Sequence, residues 1–196
     1  MKSDIESAKL ILNKGLKYHV EGNTELAGKY YQLFIDKGFQ NPIVFSNYAL
    51  ILYQNADKDK AIYFYKQSIK LFPNNLEAYS NLGNLFRNER MFIEAKDILT
   101  KAIKLNSKRY EPYLNLGITL RNLGQFIQSE FHLTTAYELN PLNHDNCNEL
   151  GLTLFALDKY KEAEIFFRKS IKINPNVSSC YSNLGTLFFK IGKYDE

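Results

Sequence analysis

Apolar residues recur along this chain at helical spacings of three and four, in short blocks punctuated by Gly, Asn, Asp and Pro. Tyr79, Leu82 and Phe86 form one stripe, and Ile98, Leu99, Ala102 and Leu105 form the next. The spacing predicts helices, and the blocks repeat. Five segments align without a gap at a period of 34 residues, 8–41, 42–75, 76–109, 110–143 and 144–177, and a partial sixth runs over 178–196. Counted within a segment, position 8 reads Gly15, Ala49, Gly83, Gly117, Gly151, Gly185, and position 20 reads Ala27, Ala61, Ala95, Ser129, Ala163. Small residues recur where two helices must touch. Position 7 (Lys14, Tyr48, Leu82, Leu116, Leu150, Leu184) and position 24 (Tyr31, Tyr65, Leu99, Leu133, Phe167) are mostly large and fill the space beside them. Position 15 holds Gly22, Gly124 and Gly192, where a left-handed residue ends the first helix. Position 32 holds Pro73, Pro141 and Pro175, which stop the second. Each unit is therefore an antiparallel helix pair, and one pair alone leaves an apolar flank that only the next can cover.

This pattern resembles the tetratricopeptide repeat, whose signature is W-x2-L-G-x2-Y, then A-x3-F, then P. Tyr79, Leu82, Gly83, Phe86, Ala95, Leu99 and Ala102 carry the resemblance most clearly, as do Tyr181, Leu184, Gly185 and Phe188. It spans residues 8–196 and implies an all-α, right-handed superhelix: a single solenoid over 1–196 with five full repeats and a partial sixth. The first unit departs most, with Ile11, Lys14 and Thr24 at positions 4, 7 and 17, as a terminal repeat does. Ser129 in place of alanine and Cys147 in place of an aromatic residue are size-tolerant. The sixth unit stops after the turn Gly192-Lys193-Tyr194 and two residues of a second helix. Leu184, Leu187, Phe188 and Ile191 are then expected to stay partly bare, which points to a fragment of a longer chain. The alternative is a helix serving as an imperfect natural cap.

Composition narrows the chemistry. Among 196 residues, 25 Lys and Arg against 21 Asp and Glu give a formal charge of +4, far from the dense basic stripe that nucleic acid would favour. No nucleic-acid partner and no membrane partner is expected, since no run approaches about 18 apolar residues. The start, MKSDIESAKLILNKG, has acids and no apolar leader core, so a cytoplasmic location is the expectation. Cys147 and Cys180 fit no CxxC pattern and read as buried reduced thiols. His19, His132 and His144 have no ligand spacing, and no phosphate-cradling glycine motif occurs. Glu94, Glu162 and Glu164 lie near the starts of second helices, where they complement the helix dipole. No enzyme, cofactor or metal is expected. The 14 Tyr and 14 Phe fall mostly at packing positions, as Tyr79, Phe86, Phe92 and Phe167 do, and Lys66, Lys70, Lys101 and Lys104 read as a solvated face.

The informative set is a ladder at position 6: Asn13, Asn47, Asn81, Asn115, then Glu149, then Asn183. By resemblance, first helices line the concave surface, where amides that donate and accept can pair with the backbone of an extended peptide. The ladder is similar to the asparagine ladder of the O-linked N-acetylglucosamine transferases; the competing reading is local hydrogen bonding common to the family. Neighbouring concave positions supply Ser80, Asn84, Arg87 and Asn88, then Leu114, Ile118, Arg121 and Asn122. Arg87 and Arg121 either receive an acidic partner or are simply solvated. A clamp for a chaperone-tail carboxylate is not expected, because Asp145 and Glu149 stand where it needs bases. The expected function is a protein-interaction scaffold that binds a peptide or helix of another protein along Asn47, Asn81, Asn84, Arg87, Asn88, Asn115, Arg121, Asn122 and Asn183. The alternative is the recruiting arm of a longer glycosyltransferase or sulfotransferase. End-to-end self-association is a further possibility.

Overall fold

The structure, a computed structural model of the chain, describes residues 2–192. Eleven helices make up the described residues: α1 (Lys2–Val20), α2 (Thr24–Asp36), α3 (Pro42–Gln54), α4 (Lys58–Leu71), α5 (Leu76–Asn88), α6 (Phe92–Leu105), α7 (Tyr110–Asn122), α8 (Phe126–Leu139), α9 (His144–Ala156), α10 (Tyr160–Ile173) and α11 (Ser178–Ile191). From α3 onward every first helix begins at position 1 of its unit, and every second helix begins at position 17. Lys193 and Tyr194 of the anticipated last turn, and the two residues expected to begin a twelfth helix, Asp195 and Glu196, lie outside the described residues. The chain forms two compact units, Met1–Leu85 and Phe86–Glu196. Within them α1 packs on α2, α3 on α4, α7 on α8 and α9 on α10. A link of three residues between helices in contact makes each of these pairs antiparallel.

The turn inside each unit has one geometry, whatever residue occupies it. Gly22, Gly124 and Gly192 have φ of 75°, 73° and 77°, but Ala56, Arg90 and Asp158, at the same position, are also left-handed at 64°, 62° and 58°. In the first five units the next residue closes the turn with a bond that spans five residues: Asn23 N to Tyr18 O at 2.9 Å, Asp57 to Leu52 at 2.9 Å, Met91 to Phe86 at 2.8 Å, Gln125 to Leu120 at 2.9 Å and Lys159 to Leu154 at 2.9 Å. This satisfies carbonyls that the helix end would otherwise leave unpaired. Asn23 and Asp57 also cap the following helix through their side chains, while Met91, Gln125 and Lys159 make no such bond.

Close helix approach explains the small residues. Ala27, Ala61, Ala95, Ser129 and Ala163 are all fully buried. A Cβ on Gly117 would sit 2.5 Å from Leu133 Cγ, and one on Gly151 would sit 2.7 Å from the Phe167 ring. Position 24 thus packs against the bare backbone of position 8. Ser129 does more than replace alanine, since its hydroxyl donates to Gly117 O at 2.7 Å and lies 3.1 Å from Thr153 Oγ1, tying α8 to α7 and α9. The core of the first unit gathers Ile11, Ala27, Tyr31, Phe34, Val44 and Ile51. That of the second gathers Leu133, Leu150, Leu154, Ala163 and Phe167 with Leu184, Leu187 and Phe188.

Two expectations need correction. Of the four residues expected to stay partly bare only Ile191 is half-buried; Leu184, Leu187 and Phe188 have exposures of 9%, 0% and 5%, because they face α9 and α10, and the exposed large residues of α11 are Tyr181 and Phe189. Leu105 does not complete a buried stripe, being 38% exposed like Leu71 and Leu139 at the same position. It lies in the last turn of its helix, beyond the cover of the neighbouring pair.

Candidate functional site

In the unit Met1–Leu85 the asparagines at position 6 turn out to be tied to the preceding repeat. Asn47 on α3 is half-buried and donates through Nδ2 to the Tyr31 hydroxyl on α2 at 3.3 Å. Asn81 on α5 makes the equivalent bond to the Tyr65 hydroxyl on α4. Both tyrosines are buried at position 24, so their hydroxyls need partners, and burial drives both pKa values up. The ladder and the inter-repeat packing are one feature here. Asn13 is exposed, and Asn84 is half-buried.

In the unit Phe86–Glu196, position 24 holds Leu99, Leu133 and Phe167, which offer no hydroxyl, and the first helices are joined through other groups. Arg121 on α7 forms an ion pair with Glu149 on α9, the side chains being 22% and 20% exposed. Arg87, which donates to Asn88 Oδ1 at 3.2 Å, also acts electrostatically on Glu149. Asn183 on α11 donates to Asn148 Oδ1 on α9 at 2.9 Å, and Asn148 is hydrogen-bonded to Glu149. Arg87, Arg121, Glu149, Asn148 and Asn183 thus form a polar row from the end of α5 to α11. Asn115 is half-buried, and Asn88 and Asn122 are exposed. Beside the row, Leu114, Ile118, Leu152 and Phe155 are partly buried and offer apolar surface.

Burial pushes the Glu149 carboxyl above its ordinary value, and Arg121 and Arg87 pull it back, with burial the larger cause. The arrangement holds charge in place and offers hydrogen bonds. Sequence reasoning named both arginines and Glu149 but missed Asn148, whose signal was a lone asparagine at position 5 beside the ladder. Cys147 and Cys180 are free and buried, and burial lifts the Cys147 thiol to about 11. Among the described residues no group of three His, Cys, Asp or Glu side chains gathers into a metal site. No described helix is long and apolar enough to cross a membrane.

Four matches to the tetratricopeptide repeat fall at residues 45–75, 64–97, 110–141 and 144–177, and together they cover more than half of the chain. No curated protein sequence matches significantly. Many solved structures are similar. MamA from Desulfovibrio magneticus RS-1 has 20% identity and a TM-score of 0.77, covering 86% of this chain and 95% of its own. YrrB, described as a TPR protein with an unusual peptide-binding site, has 23% identity and a TM-score of 0.69, with coverage of 84% and 85%. Pseudomonas aeruginosa pilF has 17% identity and a TM-score of 0.83, with coverage of 97% and 86%. The 34-residue period, the αL turn at position 15 and the seat of position 24 against position 8 accord with these matches: the chain belongs to the tetratricopeptide repeat family.

Proposed function

We propose that this chain is a protein-interaction scaffold without chemistry of its own, whose first helices hold an extended segment or helix of another protein. The observation that carries the reading is the polar row from Arg87 to Asn183 beside the apolar Ile118, Leu152 and Phe155. Arg121 and Arg87 both act on Glu149, which Asp145 also repels, so a partner that brings its own Asp or Glu next to an apolar side chain can bond these guanidiniums from outside. Asn115, half-buried on α7, adds an amide for the partner's backbone. The unusual peptide-binding site described for YrrB supports this reading by analogy. A preformed surface binds with little ordering cost to the receptor. Compartment belongs to the proposal too, as a cytoplasmic location suits the free buried thiols.

The test is selection of binders from a random peptide library displayed on phage, followed by titration of the winners. The reading expects acidic, apolar-containing peptides that lose about ten-fold or more in affinity on Arg87→Ala plus Arg121→Ala. Selected peptides that bind this double variant as they bind the parent would overturn it.

A further inference from the structure

On the second-helix side, position 21 of the third and fourth repeats is bridged to position 16 of the repeat that follows. Lys96 on α6 donates to Gln125 Oε1 at 3.1 Å. One unit later donor and acceptor exchange positions, and Lys159 donates to both oxygens of Glu130 on α8, at 2.6 and 2.8 Å. The first two repeats lack it: the second has Ile62 at position 21 with Met91 at position 16 of the third, both apolar, whereas the first has Gly28 at position 21 with the charged Asp57 at position 16 of the second. A Cβ on Gly28 would meet Ile51 Cγ2 at 3.5 Å, an ordinary contact, so packing alone does not require glycine.

What glycine leaves is a groove of about 420 Å³ between α2 and α3. Gly28, Ile51, Leu52 and the 40% exposed Leu33 supply its apolar floor. On its rim Glu25 and Lys29 pair with each other at 2.7 Å. Tyr48 donates to Gln32, whose amide donates to Asp36 Oδ1 at 2.6 Å. Asp36 and Tyr48 line the groove, and Asp57, which pairs with Lys60 at 2.7 Å, acts with Lys60 and Asp36 on the Tyr48 hydroxyl from beyond the lining. Three carboxylates, Glu25, Asp36 and Asp57, stand against two cations, Lys29 and Lys60, and Asp36 has no ion pair among the described residues.

We propose that this groove takes a lysine or arginine side chain presented by another protein. The methylene stem lies on Gly28, Leu33 and Ile51, and the cation sits between Asp36 and Asp57. Long basic side chains bury their stems while keeping the head at the polar rim, and a charged donor strengthens each bond to a carboxylate. The partner completes from outside the bridge that Lys96 and Lys159 complete from within. The groove uses Tyr48, Ile51, Leu52 and Asn55 of α3 and none of the position 6 ladder, so it stands or falls apart from the proposal for the first-helix surface.

The experiment is a titration of the ¹⁵N-labelled chain, followed by NMR, with acetyl-Leu-Lys-Leu-amide and with the same peptide carrying norleucine for lysine. Saturating shifts of the Gly28, Leu33 and Ile51 amides are expected with the lysine peptide, and about five-fold weaker binding with norleucine. Asp36→Asn should bring the lysine peptide close to the norleucine value. Gly28→Lys supplies its own bridge and should lose the response while its thermal midpoint stays level or rises. Equal binding of the two peptides, undiminished binding by Gly28→Lys, or no shift at these three amides at millimolar peptide would overturn the proposal.

Discussion

Gly117→Ala and Gly185→Ala make the same change at the same repeat position, and the structure predicts opposite signs. In an exposed helix interior, glycine to alanine contributes about 1 kcal/mol through helix propensity. At Gly185, which is exposed with no atom within 4 Å of the new methyl, that gain stands alone. At Gly117 the methyl arrives 2.5 Å from Cγ and 2.8 Å from Cδ2 of Leu133, a side chain with 0% exposure and no free space to enter. Overpacking of this kind costs about 1–3 kcal/mol and exceeds the propensity gain. The expected outcome is stabilisation of up to about 1 kcal/mol for Gly185→Ala and net destabilisation of about 1 kcal/mol for Gly117→Ala. Urea unfolding followed by circular dichroism at a helical wavelength reads the gap. Midpoints that shift together, or Gly117→Ala rising above the parent, would refute the assignment of position 8 as the close-contact site.

Ala56→Gly should stabilise the chain by about 0.5–1 kcal/mol, since a left-handed alanine carries a cost that exceeds the added freedom of the unfolded glycine; Gly124→Ala, at the same position, should move the thermal midpoint the other way. His132 is half-buried against the Tyr113 and Phe131 rings, and burial lowers its pKa below the ordinary 6.5. Between that lowered value and 6.5 the unfolded chain binds the proton that the native chain refuses, so stability falls as pH drops below 6.5. His132→Phe should remove this part of the slope in unfolding curves taken at a series of pH values. Cys147, lifted to about 11 and buried, should react with a colorimetric thiol reagent at neutral pH only after urea unfolds the chain.

The period was legible because it is written in size. Gly117 against Leu133 and Gly151 against Phe167 show why one small and one large residue recur in phase, and helix starts at Pro42, Leu76, Tyr110, His144 and Ser178 follow from that packing. The turn was only half legible, because Ala56, Arg90 and Asp158 adopt the left-handed geometry without a glycine to announce it. There the packing of two helices outweighs local preference. The ladder was visible as a row of asparagines, but its partners were not. Whether an amide at position 6 meets a tyrosine hydroxyl depends on position 24 of the preceding unit, and Tyr31 and Tyr65 supply one where Leu99 and Leu133 do not. Likewise the groove at Gly28 becomes visible only when Lys96 and Glu130 are seen reaching the next repeat.

Hydrogen–deuterium exchange of the chain, with and without the tightest peptide selected as above, tests the proposed scaffold most directly. Binding along the first helices predicts slowed exchange over 114–122 and 148–155, with α8 and α10 unchanged. Slowing confined to α8 and α10 would contradict it.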